Sequence, residues 1–148
     1  MILIKQGGAI AVVLASNRRW VVRAGPDVCS EQEVELLVRR FYARVREDAV
    51  LGPIFEARVH DWEQHLQQLV DFWSALLRGT SRFNGAPMPK HLAIPGLEWP
   101  MFERWLALFS QTTAELGNPA MQALADEAAA RVAGSIWRRY HAPSFPIL

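Results

Sequence analysis

Residues 83–91 read FNGAPMPKH and lie between two long apolar-periodic segments; no other stretch limits the fold as strongly. Gly85, Pro87 and Pro89 exclude a regular helix there, because glycine is conformationally permissive and proline lacks an amide donor. A chain that keeps a helical period on both sides of such a break must fold as separate helices around an irregular loop. That loop delivers His91. A neutral imidazole is the commonest protein ligand for a metal. Taken alone, His91 is an ordinary loop histidine, and the rest of the chain has to decide whether it is more.

Ser30-Glu31-Gln32-Glu33 forms a capping box, in which the serine oxygen accepts an N3 amide and Glu33 reaches back. Val34, Leu37, Val38, Phe41, Tyr42 and Val45 then recur at helical spacing, with the arginines mostly on other faces. Tyr42 is thus either a core tyrosine or a hydroxyl aimed into a cavity. Gly52-Pro53 reads as a stop and a tight corner that delivers Ile54 and Phe55 as bulky apolar groups. Asp61 caps a second helix with Gln64 three residues on, and Gly79 closes it. Its apolar face runs Trp62, Leu66, Leu69, Val70, Phe72, Trp73, Leu76 and Leu77, and His65 looks toward it. Trp99-Pro100 opens a third helix with an inner stripe of Phe102, Trp105, Leu106, Phe109, Thr113 and Leu116. Asn118-Pro119 opens a fourth, with Met121, Leu124, Ala125, Ala128, Val132, Ile136 and Tyr140 on one face. The expectation is an all-α domain over residues 29–148, with no strand alternation after residue 28.

Residues 1–28 read differently. They carry four basic residues and no acid before residue 26, a local charge of +4, whereas the whole chain is +1. Three readings stand: a signal peptide around the run AIAVVLA, a strand pair using Val12–Leu14 and Trp20–Val22, or a start assigned too far upstream. The last is favoured, which makes residues 1–28 an extension to the helical domain, disordered or mis-assigned. The rest of the chain is mildly acidic and shows no basic patch with interleaved aromatics, which excludes a nucleic-acid binder. No apolar run approaches the roughly 20 residues that span a bilayer. The single cysteine, Cys29, excludes an intrachain disulfide and Cys-rich metal sites, and fits a reducing, cytoplasmic compartment. Any metal therefore relies on His or carboxylates, or arrives inside a cofactor.

Six tryptophans and seven phenylalanines against two tyrosines imply an interior that fills large, flat spaces. A porphyrin is a flat apolar disc whose iron needs an axial imidazole, so a loop histidine, a helix histidine 26 residues earlier, an inward tyrosine and surplus aromatic surface belong together. The runs FYARVREDAVLGPIF at 41–55, WEQHLQQLVDFW at 62–73, FNGAPMPKH at 83–91 and FERWLALF at 102–109 resemble, in order and spacing, a group III truncated haemoglobin. The resemblance covers about Ser30 to about Tyr140, and residues 1–28 match nothing in it. It implies a two-over-two helical sandwich, a shortened globin, holding haem b (iron protoporphyrin IX). It also implies that His91 is the proximal iron ligand and that Tyr42, His65 and Trp105 are the distal polar residues. Phe55 would pack on the haem face, Leu69 would face the distal side, and Trp73 would close the far end of the pocket.

The implied partners are O2, NO and CO, with a reductase or other electron donor, and the implied state is a monomer. Two donors on the ligand would slow O2 release, which suits NO dioxygenation or peroxide activation rather than bulk oxygen delivery. Arg58, Arg82 and Lys90 are placed to meet propionates or to stay solvated. Two other readings compete. One is a non-haem helical interaction domain with an aromatic core. The other is a His/carboxylate metalloenzyme, which would want a helical Glu-x-x-His pair, but positions 62 and 88, three before each histidine, are Trp and Met.

Overall fold

The computed structural model describes residues 2–6, 9–14, 19–84 and 94–141. Five helices are present among them: α1 (Glu31–Glu47), α2 (Leu51–Glu56), α3 (Trp62–Arg78), α4 (Trp99–Glu115) and α5 (Pro119–Tyr140). Three strands precede them, β1 (Ile2–Gln6), β2 (Ala9–Leu14) and β3 (Arg19–Val22), in an antiparallel sheet of order β1-β2-β3. Val12 pairs with Val21 and Val13 with Trp20, so the backbone of this segment takes the strand pairing. The sheet adds a third strand, Ile2–Gln6, that the sequence reading did not include.

Local chemistry sets the helix ends. Ser30 Oγ accepts from Glu33 N at 3.1 Å, and Glu33 Oε1 accepts from Ser30 N at 3.0 Å, which completes the capping box. Asp61 accepts from Gln64 N at 3.1 Å to start α3, and Gly79 ends it with φ 74, a left-handed conformation that glycine adopts without strain. Asn118 accepts from Met121 N to start α5. Its amide also donates to Val28 O and Glu33 Oε2, both at 2.9 Å, which joins the starts of α1 and α5.

The 51–55 corner is a correction. Leu51–Glu56 is a short helix, not a tight turn. Pro53 lies in its first turn, where the missing amide costs no hydrogen bond. Asp48 Oδ1 accepts from both Val50 N and Leu51 N at 2.9 Å, and so restarts the helix after α1 ends. Gly52 is needed for proximity: a Cβ there would lie 2.6 Å from Arg46 O.

Helix α1 packs against α3 and α4, α3 packs against α5, and α4 lies along α5. The core forms between these pairs. All six apolar residues expected to face inward on α1 are buried. Phe41 meets Tyr42, Trp105 and Phe109 edge-on at 4.8, 5.2 and 5.0 Å between ring centroids. Trp73 stacks on Phe109 at 4.8 Å. On α5, Ala125, Ala128, Ala129 and Ala133 are buried, and their small size brings the helix backbone close to its neighbours. Val132 and Tyr140, expected on the buried face, are only half-buried.

Candidate functional site

Helix α3 carries more apolar surface than its core contact uses. Val70, Trp73, Ser74 and Leu77 are buried. At about 100° per residue these span about 100° of the helix circumference. Adjacent to them, His65, Leu69, Phe72 and Leu76 fall within about 60° of one another. All four of these are half-buried. They form a second stripe, mostly apolar, that the described helices leave partly open.

The stripe has a facing wall at one end. A groove of about 320 Å³ is lined by Phe72 and Leu76 of α3 and by Ala128, Arg131, Val132, Ser135 and Ile136 of α5. Phe83, which begins the proline-rich loop, packs its ring on Phe72 at 5.1 Å. The chain returns at Ile94, and Tyr140 of α5 fastens that point: its hydroxyl donates to Ile94 O at 2.8 Å and accepts from Leu97 N at 3.2 Å. His91 lies outside the described residues, as does Lys90.

Polar groups gather at the other end of the stripe. Tyr42 is buried, and the Trp105 indole N–H donates to its hydroxyl oxygen. Burial pushes the Tyr42 phenol well above its ordinary range, and the Trp105 hydrogen bond offsets this only in part. The hydroxyl therefore stays protonated, and with a lone pair occupied by Trp105 it keeps a proton to donate. His65 presents its ring edge to Tyr42 at 6.1 Å, and Phe55 of α2 lies 5.8 Å from Tyr42 on another side. Tyr42, His65, Trp105 and Phe55 thus converge from four helices.

Leu69 lies one turn beyond His65 on the open stripe. Trp73 points into the core, 1% exposed, and stacks on Phe109, which in turn stacks on Trp105 at 5.5 Å. Arg82 is ion-paired with Glu31 at 2.9 Å and Asp71 at 3.5 Å. Arg58 is exposed. Sequence reasoning did not single out Phe72, Leu76, Val132 or Ile136 as site residues. Their signal was the width of the apolar face of α3, which exceeds what one packed neighbour needs.

An apolar, partly open face ending in neutral hydrogen-bond donors suits a flat apolar ligand better than a bare ion. Among the described residues no three of His, Cys, Asp and Glu come together to hold a metal ion. No described helix is long and apolar enough to cross a membrane.

Comparison with known proteins gives the same direction. Residues 27–133 match the family described as bacterial-like globin. A group 3 truncated haemoglobin of Campylobacter jejuni is 32% identical over 100 residues, covering 65% of this chain and 79% of that protein. The crystal structure of the group III truncated haemoglobin from Campylobacter jejuni superposes with a TM-score of 0.72 at 29% identity, over 76% of this chain and 92% of that one. The truncated haemoglobin of Tetrahymena pyriformis matches with a TM-score of 0.56 at 21% identity, over 77% and 90% of the two chains, a likeness of fold alone.

Proposed function

This chain belongs to the bacterial-like globin family, as a group III truncated haemoglobin, and from that premise we propose that it binds haem b and takes O2, NO or CO beside Tyr42, His65 and Trp105. The observation that carries this reading is the second stripe of α3, an apolar face open along Leu69, Phe72 and Leu76 and closed at one end by the Tyr42–Trp105 pair. These residues fit haem: the stripe offers apolar surface for the ring, and His91 is the histidine in the loop beyond it. When bound, haem supplies an iron with one position for an axial imidazole and one open to a diatomic gas.

The chain's own residues then set the environment. His91 would hold the iron. Leu69, Phe72 and Leu76 would shield the group from water, and Phe55 would pack beside it. Trp73 holds the back wall through its stack on Phe109. Tyr42, kept neutral by burial, offers an O–H to a ligand that carries partial negative charge, and Trp105 orients that hydroxyl. A net hydrogen bond contributes about 0.5–1.5 kcal/mol, so the Tyr42 donor slows ligand release by roughly two- to tenfold. Retention of O2 favours chemistry on the ligand, NO dioxygenation or peroxidase-like turnover supported by an external reductase, over bulk transport.

The test is reconstitution with hemin. Wild-type protein is expected to hold a Soret band through desalting, His91→Ala to lose it or bind hemin weakly, and His65→Ala to keep it. Tyr42→Phe is expected to raise the O2 dissociation rate by about two- to tenfold. A wild-type chain that stays colourless overturns the haem reading. O2 release as fast as from storage globins overturns the retention chemistry and leaves haem binding intact.

A further inference from the structure

Where α1, α2 and α3 meet, on the solvent side of Tyr42 and His65, three side chains are tied together. Arg46 Nε donates to Glu56 Oε1 at 2.8 Å. The Trp62 indole N–H donates to Glu56 Oε2 at 3.4 Å. The Arg46 guanidinium also lies 4.4 Å from the centroid of the Trp62 ring, over its face. One carboxylate and one cation therefore fix the tryptophan from two directions, a cation–π contact and a hydrogen bond. The helix contributing Glu56 is the short one that Asp48 and Gly52 place against α1.

Trp62 in turn stands against the polar end of the site. Its ring lies 5.7 Å from His65, nearly perpendicular, and 6.4 Å from Tyr42. Outside the tie is a surface cleft of about 360 Å³ lined by Ala43, Arg46, Glu47 and Glu56. Arg46 and Glu56 line this cleft, and Trp62, which both hold, faces His65 and Tyr42. Arg46 and Glu56 are exposed and bear on His65 and Tyr42 through Trp62, which makes passage to the site the step they can affect.

We propose that Arg46, Glu56 and Trp62 are positioning residues that hold the outer wall of the ligand site and set the rate at which diatomic gases cross between the α1/α2 cleft and the Tyr42–Trp105 pair. The inference rests on the haem reading above. Its signature is kinetic. A barrier between solvent and site slows entry and exit alike, so loosening it raises both rate constants and leaves their ratio unchanged. Loss of a ligand-stabilising donor does the reverse, and raises exit alone.

The test compares Glu56→Gln and Arg46→Met with wild type, all reconstituted with hemin, by flash photolysis and stopped-flow with CO. Both substitutions keep side-chain bulk at exposed positions and break the charge pair. CO association and dissociation rates are expected to rise together by about two- to fivefold, the range an exposed ion pair can supply, with CO affinity unchanged. In the hemin-free protein, solvent exchange of the Trp62 indole N–H is expected to speed up in Glu56→Gln, which reads the tie without any bound group. A Soret band with unaltered rates overturns the inference and leaves the haem reading standing. A change in dissociation alone also overturns it, because the tie would then act on the ligand and not on its path. Absence of any CO-sensitive spectrum overturns the haem reading and this inference with it.

Discussion

The two faces of α3 carry similar residues and have different surroundings. One face, Val70, Trp73, Ser74 and Leu77, is buried against protein. The other, His65, Leu69, Phe72 and Leu76, is half-buried and partly open. Both are apolar enough to drive burial, so hydrophobicity does not distinguish them. What distinguishes them is the neighbour. The first face has Phe41 and Phe109 of α1 and α4 within its aromatic cluster, while the second has His65 beside Tyr42 and Trp62 at one end and Phe72 and Leu76 on the groove wall of α5 and Phe83 at the other. The first face makes the fold, and the second is the face proposed above to meet the haem.

That division is most exposed to a pair of truncations one residue apart. Leu77, 0% exposed, belongs to the core face. Leu77→Ala is expected to lower unfolding free energy by about 2–5 kcal/mol, by lost transfer and a residual cavity. The loss should be read by urea denaturation and be the same with and without hemin. Leu76, its half-buried neighbour, belongs to the open face. Leu76→Ala is expected to cost the hemin-free protein less than Leu77→Ala. Equal losses in the hemin-free protein would show that the two faces are not separate.

The open face has its own reporter in Phe72. Fully burying a phenylalanine contributes about 1.5–3 kcal/mol relative to exposure. If hemin completes that burial, Phe72→Ala should weaken hemin affinity by roughly tenfold or more, measured by hemin transfer to a competitor, while thermal unfolding of the hemin-free chain shifts little. A large loss of hemin-free stability with unchanged hemin retention would assign Phe72 to the core instead.

Much of this partition was written locally. The caps at Ser30, Asp61 and Asn118 involve residues three apart, so sequence alone identified them, and each hydrogen bond forms as expected. Periodicity also named every buried apolar residue of α1. It could not divide the broad face of α3, because a period gives an angle around the helix and not the element that lies across it. Helix α2 was missed for a related reason. Gly52-Pro53 carries the composition of a turn, and what makes it helical is the Asp48 carboxylate behind it and the 2.6 Å approach to Arg46 O. Residues 9–14 lack alternation, and a short continuous apolar run is as compatible with a strand as with a helix. Among the site residues, the convergence of Tyr42, Phe55, His65 and Trp105 followed from the resemblance, whereas the Trp105-to-Tyr42 hydrogen bond required the packing of α1 on α4.

A smaller effect tests whether α3 starts as a single unit for both faces. Asp61 is the N-cap that both stripes share. Asp61→Ala is expected to cost about 1 kcal/mol of stability, the usual value of a side-chain cap. Because the cap lies one turn from His65, the loss should appear in urea denaturation with and without hemin, in equal measure. A loss confined to the hemin-free protein would mean that the bound group, and not the cap, orders the first turn.

The last comparison is expected to give no difference between the two forms, and it bears on the core face alone. Cys29 lies at the C-terminal end of that face, 4% exposed, with its carbonyl accepting from Arg78 Nε at 3.0 Å. Burial, and then the charge of Glu33, push its thiol up to about 11 from an ordinary value near 9. The sign of the linkage follows from that direction. A thiol whose pKa is raised in the fold favours folding below the ordinary value. The contribution is lost between about 9 and about 11, as the unfolded chain ionises first. Urea stability of the wild type should therefore decline over that window more steeply than that of Cys29→Ala. Near neutral pH the thiol is protonated and buried, so its reaction with an aromatic disulfide should be slow and governed by opening of the core. Opening of the core face should proceed at the same rate whether or not the second face is filled. If hemin slows thiol modification markedly, the two faces of α3 open together, and the separation drawn between folding and binding surfaces fails at its foundation.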